Sequence, residues 1–102
     1  MMAETHPKIQ GVEMAGQPVQ ALRVVFPSGD ISVLPWSLFL KAHLLANDQG
    51  TVVVIAFASS TVRISGDLRA LQILIEGTAS QWLRTIQVAA PSISSIEIED
   101  PD

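Results

Sequence analysis

The sequence predicts a small α+β domain, mainly β with two short helices, folded as a strongly bent sheet or a partly open barrel. Three observations carry this reading. Apolar residues alternate along segments of about four to eight residues joined by short turns. One segment, residues 51–57, is apolar or β-branched on both faces, as a central strand is. Two further segments space their apolar residues at helical intervals.

Residues 1–18 hold Pro7, Gly11, Gly16 and Pro18 without a sustained period, and are expected to form a flexible lead-in. From Val19 to Phe26 the pattern is that of a strand, with Leu22, Val24 and Phe26 on one face and Arg23 on the other. Pro27-Ser28-Gly29-Asp30 is a tight turn, and Ile31–Leu34 is the returning arm of a hairpin. Pro35 suits the first turn of a helix, and Trp36, Phe39, Leu40, His43 and Leu44 follow at helical spacing through Leu45. Asn47-Asp48-Gln49-Gly50 ends that segment. The doubly apolar strand 51–57 comes next, then Thr61–Ser65, in which Val62 and Ile64 oppose Arg63 and Ser65. Gly66 breaks the strand and Asp67 is a natural N-cap. Leu68, Leu71, Leu74 and Ile75 then give a helical face ending at Gly77, which suits the C′ position. A strand over Trp82–Val88 and a half-exposed one over Ile93–Glu99 complete the order ββαββαβ(β). The domain is thus expected over residues 19–98, with an acidic tail at 99–102.

Composition removes several kinds of chemistry. The 102 residues include no cysteine, so disulfide frameworks, thiolate metal sites and cysteine nucleophiles are excluded. Two histidines, His6 and His43, are too few for a multi-histidine centre. The formal charge of −4 is unevenly placed. Glu97, Glu99, Asp100 and Asp102 load the C-terminus. The body sets Asp30, Asp48, Asp67 and Glu76 against Arg23, Lys41, Arg63, Arg69 and Arg84, and is nearly neutral. That body lacks the basic stripe of a nucleic-acid binder. The longest apolar run, Val52–Ala58, is far short of the ~20 residues that cross a bilayer, and Glu4, His6, Pro7 and Lys8 interrupt the first apolar stretch. The expectation is a soluble, cytoplasmic protein that binds no membrane.

The most motif-like stretch is Val62-Arg63-Ile64-Ser65-Gly66-Asp67-Leu68. It resembles the second signature of the Sm-like family (the LSm and Hfq relatives), which reads apolar–x–Ile–basic–Gly–Asn/Asp–x–apolar. The resemblance implies a small, strongly bent five-stranded barrel whose edge strands pair between subunits and close a ring. It also implies a binding role for Arg63, Ser65, Gly66 and Asp67 at an RNA pocket. Ser65 stands where the family carries Arg or Lys, and no counterpart of the first signature is present. The local reading of the same residues is that Gly66 turns the chain and Asp67 caps the next helix.

Other residues give ordinary readings. His43 falls near the end of the first expected helix, where an imidazole interacts with the dipole; no spacing supplies the carboxylate or serine that a base or relay needs. Ser28-Gly29-Asp30 lacks the repeated glycines and lysine of a phosphate cradle. Asp30, Asp67 and Glu76 are too scattered for paired carboxylates. The acidic tail holds a divalent ion loosely at best and reads as solvated chain. Trp36 and Trp82 follow the period of their own segments, which places them in the core or an interface rather than in a base-stacking platform. No catalytic, cofactor-binding or metal-binding set emerges.

What remains points to assembly. Apolar residues make up 48 % of the chain and charged ones 16 %, against ~25 % charged in ordinary soluble domains. A domain of this size buries only ~60–65 % of its chain surface, so apolar area is left over. The expected function is a non-enzymatic homo-oligomeric scaffold or binding module with an Sm-like fold, partnered by further copies of itself. The alternatives are an RNA-binding Sm-like ring, and a small ligand-binding domain whose pocket is assembled between subunits.

Overall fold

A computed structural model describes residues 9–47 and 50–100. The strands are β1 (Val12–Met14), β2 (Ala21–Val25), β3 (Ile31–Pro35), β4 (Phe39–Asn47), β5 (Gly50–Phe57), β6 (Thr61–Gly66), β7 (Leu83–Gln87) and β8 (Ile93–Glu99). Among the described residues there is one α-helix, α1 (Leu68–Ser80), and one 3-10 turn at Trp36–Leu38. The domain is mainly β. In place of one bent sheet, the strands divide into two four-stranded sheets, ordered β1-β7-β2-β3 and β4-β5-β6-β8.

The first sheet is mixed. The Pro27–Asp30 turn closes the β2–β3 hairpin, with Phe26 N–H donating to the Asp30 carbonyl at 2.9 Å. β7 arrives beside β2 in parallel and pairs antiparallel with β1 on its other side. β1 lies within residues 1–18, where the sequence pattern predicts no strand. β1 forms because three residues suffice to cover the free edge of β7, with Val12 opposite Ile86. Residues 1–8 lie outside the described part of the chain.

The second sheet is wholly antiparallel, and it corrects the main expectation about local structure. The helix expected over Pro35–Leu45 does not form. Pro35 is extended (φ −64°, ψ 132°), one 3-10 turn follows, and the chain returns to extended geometry at Phe39 (φ −67°, ψ 134°). From there β4 runs against β5 with Ala42 opposite Ile55, Leu44 opposite Val53 and Asn47 opposite Gly50. Leu, Lys and Ala are good helix formers, so local propensity misleads here. The doubly apolar β5 needs a hydrogen-bonded neighbour on each side, and pairing overrides propensity. His43 therefore sits on an exposed strand face opposite Val54, not at a helix end.

The helix α1 starts as expected. Asp67 is the N-cap, its carboxylate accepting from the Ala70 N–H at 2.9 Å. Gly77 does not end it; the helix continues to Ser80 and closes on Gln81 in the left-handed region (φ 63°), whose N–H reaches the Gly77 and Thr78 carbonyls. Ala70, Leu71, Leu74, Gly77 and Thr78 are buried, and the helix packs over β4, β5, β6 and β7. The core between the layers holds Leu22, Val24, Val53, Ile55, Val62, Ile64, Leu71, Leu74, Leu83 and Ile86, all fully buried. Trp36 joins the two sheets. Its ring centre lies 5.6 Å from that of Phe39 and 5.4 Å from that of Phe57 in the second sheet, while its Nε1 donates to the Leu83 carbonyl of the first at 3.3 Å.

Candidate functional site

The residues singled out by the Sm-like resemblance lie on β6 and at the cap of α1. Arg63 and Ser65 point to the outer face of the second sheet, Arg63 between Val54 and Glu97, Ser65 between Val52 and Ser95. The Arg63 Nε lies 3.7 Å from the Glu99 carboxylate, in a solvent-exposed pair that contributes little to stability. Gly66 and Asp67 serve the chain itself. At Gly66 the backbone of Ser92 approaches so closely that a Cβ would collide with its carbonyl group and lie 3.2 Å from the Ile93 Cα. Asp67 is occupied as the helix cap and also donates its N–H to the Ser92 carbonyl at 3.1 Å. The four residues are sequence neighbours in two placements, Arg63 and Ser65 on the outer face of β6 and Gly66 and Asp67 at its junction with α1.

Two open depressions flank the loop before β2. One, of about 500 Å³, is bordered by Gln17, Gln20, Arg23 and Arg84; the other, of about 530 Å³, by Val19, Pro35, Trp36 and Gln81. Arg84 is paired at 3.8 Å with Glu13. Neither depression holds a nucleophile beside a base. Among the described residues no three His, Asp or Glu side chains come together, and no buried side-chain nitrogen or oxygen lacks a hydrogen bond. No described helix is long and apolar enough to cross a membrane.

The feature that does stand out is an asymmetry between sheet edges. A sheet edge exposes unpaired N–H and C=O groups and is normally shortened or charged to prevent pairing with another chain. In the first sheet the edge strand β1 is three residues long and carries Glu13; in the second, β8 carries Glu97 and Glu99 with Ser94 and Ser95. The opposite edges are guarded only at one end, β3 by Pro35 and β4 by Lys41 at a register shift, and expose apolar side chains along the rest. β3 exposes Ile31 and Val33, at 57 % and 56 % of their surface. β4 is nine residues long and exposes Leu40, Leu44 and Leu45, Leu40 at 65 %.

The backbone of β4 can be followed atom group by atom group. Phe57 N–H donates to the Ser60 carbonyl at 2.8 Å across the β5–β6 turn. In an antiparallel ladder alternate residues turn their polar groups to alternate sides. Phe57, Ile55 and Val53 therefore face β6, and Ala56, Val54 and Val52 face β4. Their partners Lys41, His43 and Leu45 are satisfied by β5. The N–H and C=O groups of Ala42, Leu44 and Ala46 are turned to the open edge, and no described residue takes them up.

Comparison with protein families, curated proteins and solved structures finds no match to this chain. β4, and with it the edge, lies where the sequence pattern predicts a helix. The signal was partial: Lys41, Ala42, His43 and Leu44 alternate polar and apolar before Leu45 and Ala46 break the pattern, and Asn47 pairs with Gly50.

Proposed function

We propose that this protein is a non-enzymatic homo-oligomeric scaffold or binding module, held together by sheet-edge pairing between copies. The observation that carries the reading is the pair of edges with exposed apolar side chains, β3 and the nine-residue β4, opposite the short β1 and the charged β8. The outer face of β5 adds to it. Val52, Val54 and Ala56 keep part of their surface exposed where β-branched and apolar side chains would be expected under cover. The Sm-like resemblance contributes the mode of assembly, edge strand to edge strand, in small subunits of a closed oligomer.

Nucleic acid is not the partner in this reading. The described basic side chains are dispersed over β2, β4, β6, α1 and β7, and two of them face carboxylates. A polyanion requires such charges on one surface. Light scattering coupled to size exclusion tests the assembly: the expected result is a particle of at least twice the chain mass at micromolar concentration. A monodisperse monomer up to ~100 µM, well above the ~µM range of weak but specific association, would overturn it.

A further inference from the structure

We propose that β4 is the dimer interface, and that it pairs antiparallel with β4 of a second copy about a two-fold axis at Leu44. The inference rests on the oligomeric reading above and assigns its surface, its partner and its register. Four observations lead to it.

The first is the direction of the free backbone groups. Ala42, Leu44 and Ala46 present theirs outward at every second residue, as a strand awaiting a neighbour does. The second is the length of regular strand. A register shift interrupts β4 between Phe39 and Lys41, so the unbroken stretch is residues 41–47. Its midpoint is Leu44. A two-fold axis there is the one placement that pairs the whole stretch, about 24 Å of strand at ~3.4 Å per residue.

The third is what that register sets side by side. Leu44 lies opposite its own copy, and Ala42 opposite Ala46. On the other face His43 lies opposite Leu45, and Lys41 opposite position 47. No charge meets a like charge, which directly opposed strand residues disfavour. Moving the axis to His43 would place the two imidazoles against each other and leave the end of the strand unpaired. The fourth is what remains after pairing. The combined sheet runs β8-β6-β5-β4 and then the same strands of the second copy in reverse, so both of its ends are β8, with Glu97 and Glu99 in solvent. A head-to-tail arrangement would bring the acidic β8 into every junction and leave β4 uncovered at one end of any open chain. The isologous contact closes with two subunits.

The strip is one strand wide, narrower than the ~800 Å² per partner of a standard stable interface. The dimer is accordingly reversible and depends on concentration.

The chain has no cysteine, so introduced thiols report without interference. In this register residues 43 and 45 form a pair not hydrogen-bonded to each other, with Cα atoms ~4.5 Å apart, inside the range a disulfide spans. His43→Cys and Leu45→Cys are made as separate proteins, both at exposed positions, oxidised alone, and oxidised after mixing and subunit exchange. Ser95→Cys on β8 serves as the control. The expected result is a disulfide-linked dimer in the mixture at ten-fold or more above either single variant. Equal or better cross-linking of His43→Cys by itself would place the axis at His43 and overturn the register. A mixture no better than the Ser95→Cys control, with wild-type protein still oligomeric by light scattering, would assign assembly to another edge such as β3. A monomeric wild-type protein would remove the oligomeric reading itself.

Discussion

Replacing Gly66 by alanine tests how the second sheet is joined to the helix. The φ of Gly66 lies outside the left-handed region, so alanine meets no backbone strain there. The cost is steric and local. The new Cβ would lie 2.9 Å from the Ser92 carbonyl carbon and closer to its oxygen, and both belong to backbone that cannot rotate away. Relieving the collision moves Ser92 from Asp67, whose N–H it accepts at 3.1 Å. It also disturbs the β6–β8 register, which already shifts between Ser65 and Gly66. Losing the hydrogen bond costs about 1 kcal/mol, and forcing the extra carbon into a packed site ~1–3 kcal/mol. Alanine recovers ~0.4–1 kcal/mol by restricting the unfolded chain. The net expectation is a loss of about 2 kcal/mol, or roughly 10 °C in Tm for a domain of this size. Urea unfolding followed by tryptophan fluorescence reads it directly. Gly77→Ala provides the contrast: its Cβ would meet the flexible end of Met14, at 2.5 Å from Cε and 2.7 Å from Sδ, and the helix gains propensity. Its loss should stay below ~1 kcal/mol. A Gly66→Ala protein as stable as wild type, or less affected than Gly77→Ala, would refute the reasoning.

Other outcomes follow from the same geometry. Asp67→Ala removes the cap of α1 and should cost about 1 kcal/mol in denaturant unfolding, with Asp67→Asn restoring most of it; an unchanged midpoint would contradict the cap's role. Trp36→Ala opens the aromatic joint between the sheets and is expected to lose ~3–5 kcal/mol, seen as a strongly lowered thermal midpoint by circular dichroism. Labelled poly-U and poly-A titrated at ~150 mM salt should show no submicromolar binding. Tight binding abolished by Arg63→Ala would reverse the assignment and give the Sm-like resemblance a functional meaning.

Much of the fold was legible where two signals agreed. Pro27 to Asp30 named a turn and the residues on either side alternated, so the β2–β3 hairpin is where the pattern put it. Asp67 after Gly66 named a cap, and the leucines behind it supplied the buried face of α1. The errors came where a local signal was strong and its partner distant. Residues 39–46 carry helix-forming side chains at helical spacing, but their conformation is decided by β5, which lies beyond a turn. Val12–Met14 shows too short a pattern to be recognised and becomes a strand through β7, some seventy residues later in the chain. Gly77 looked like a stop because nothing in the sequence reveals Met14 packing against it. Arg63, Ser65, Gly66 and Asp67 drew notice as a motif, and the structure divides them between an exposed sheet face and a chain junction. The open edge of β4 stayed hidden because a segment read as helix has no edge.

Pairing between copies uses the free backbone groups of β4, and hydrogen exchange measures them one amide at a time. Exchange is followed by NMR at a concentration where the protein associates and again after dilution below it. The amides of Lys41, His43 and Leu45, bonded to β5, should be protected at both concentrations. Those of Ala42, Leu44 and Ala46 should be protected in the concentrated sample and exchange rapidly on dilution, in step with the fall in particle mass. Fast exchange of all three in a sample shown to be oligomeric, or protection that dilution leaves unchanged, would contradict the claim that this edge is where the copies meet.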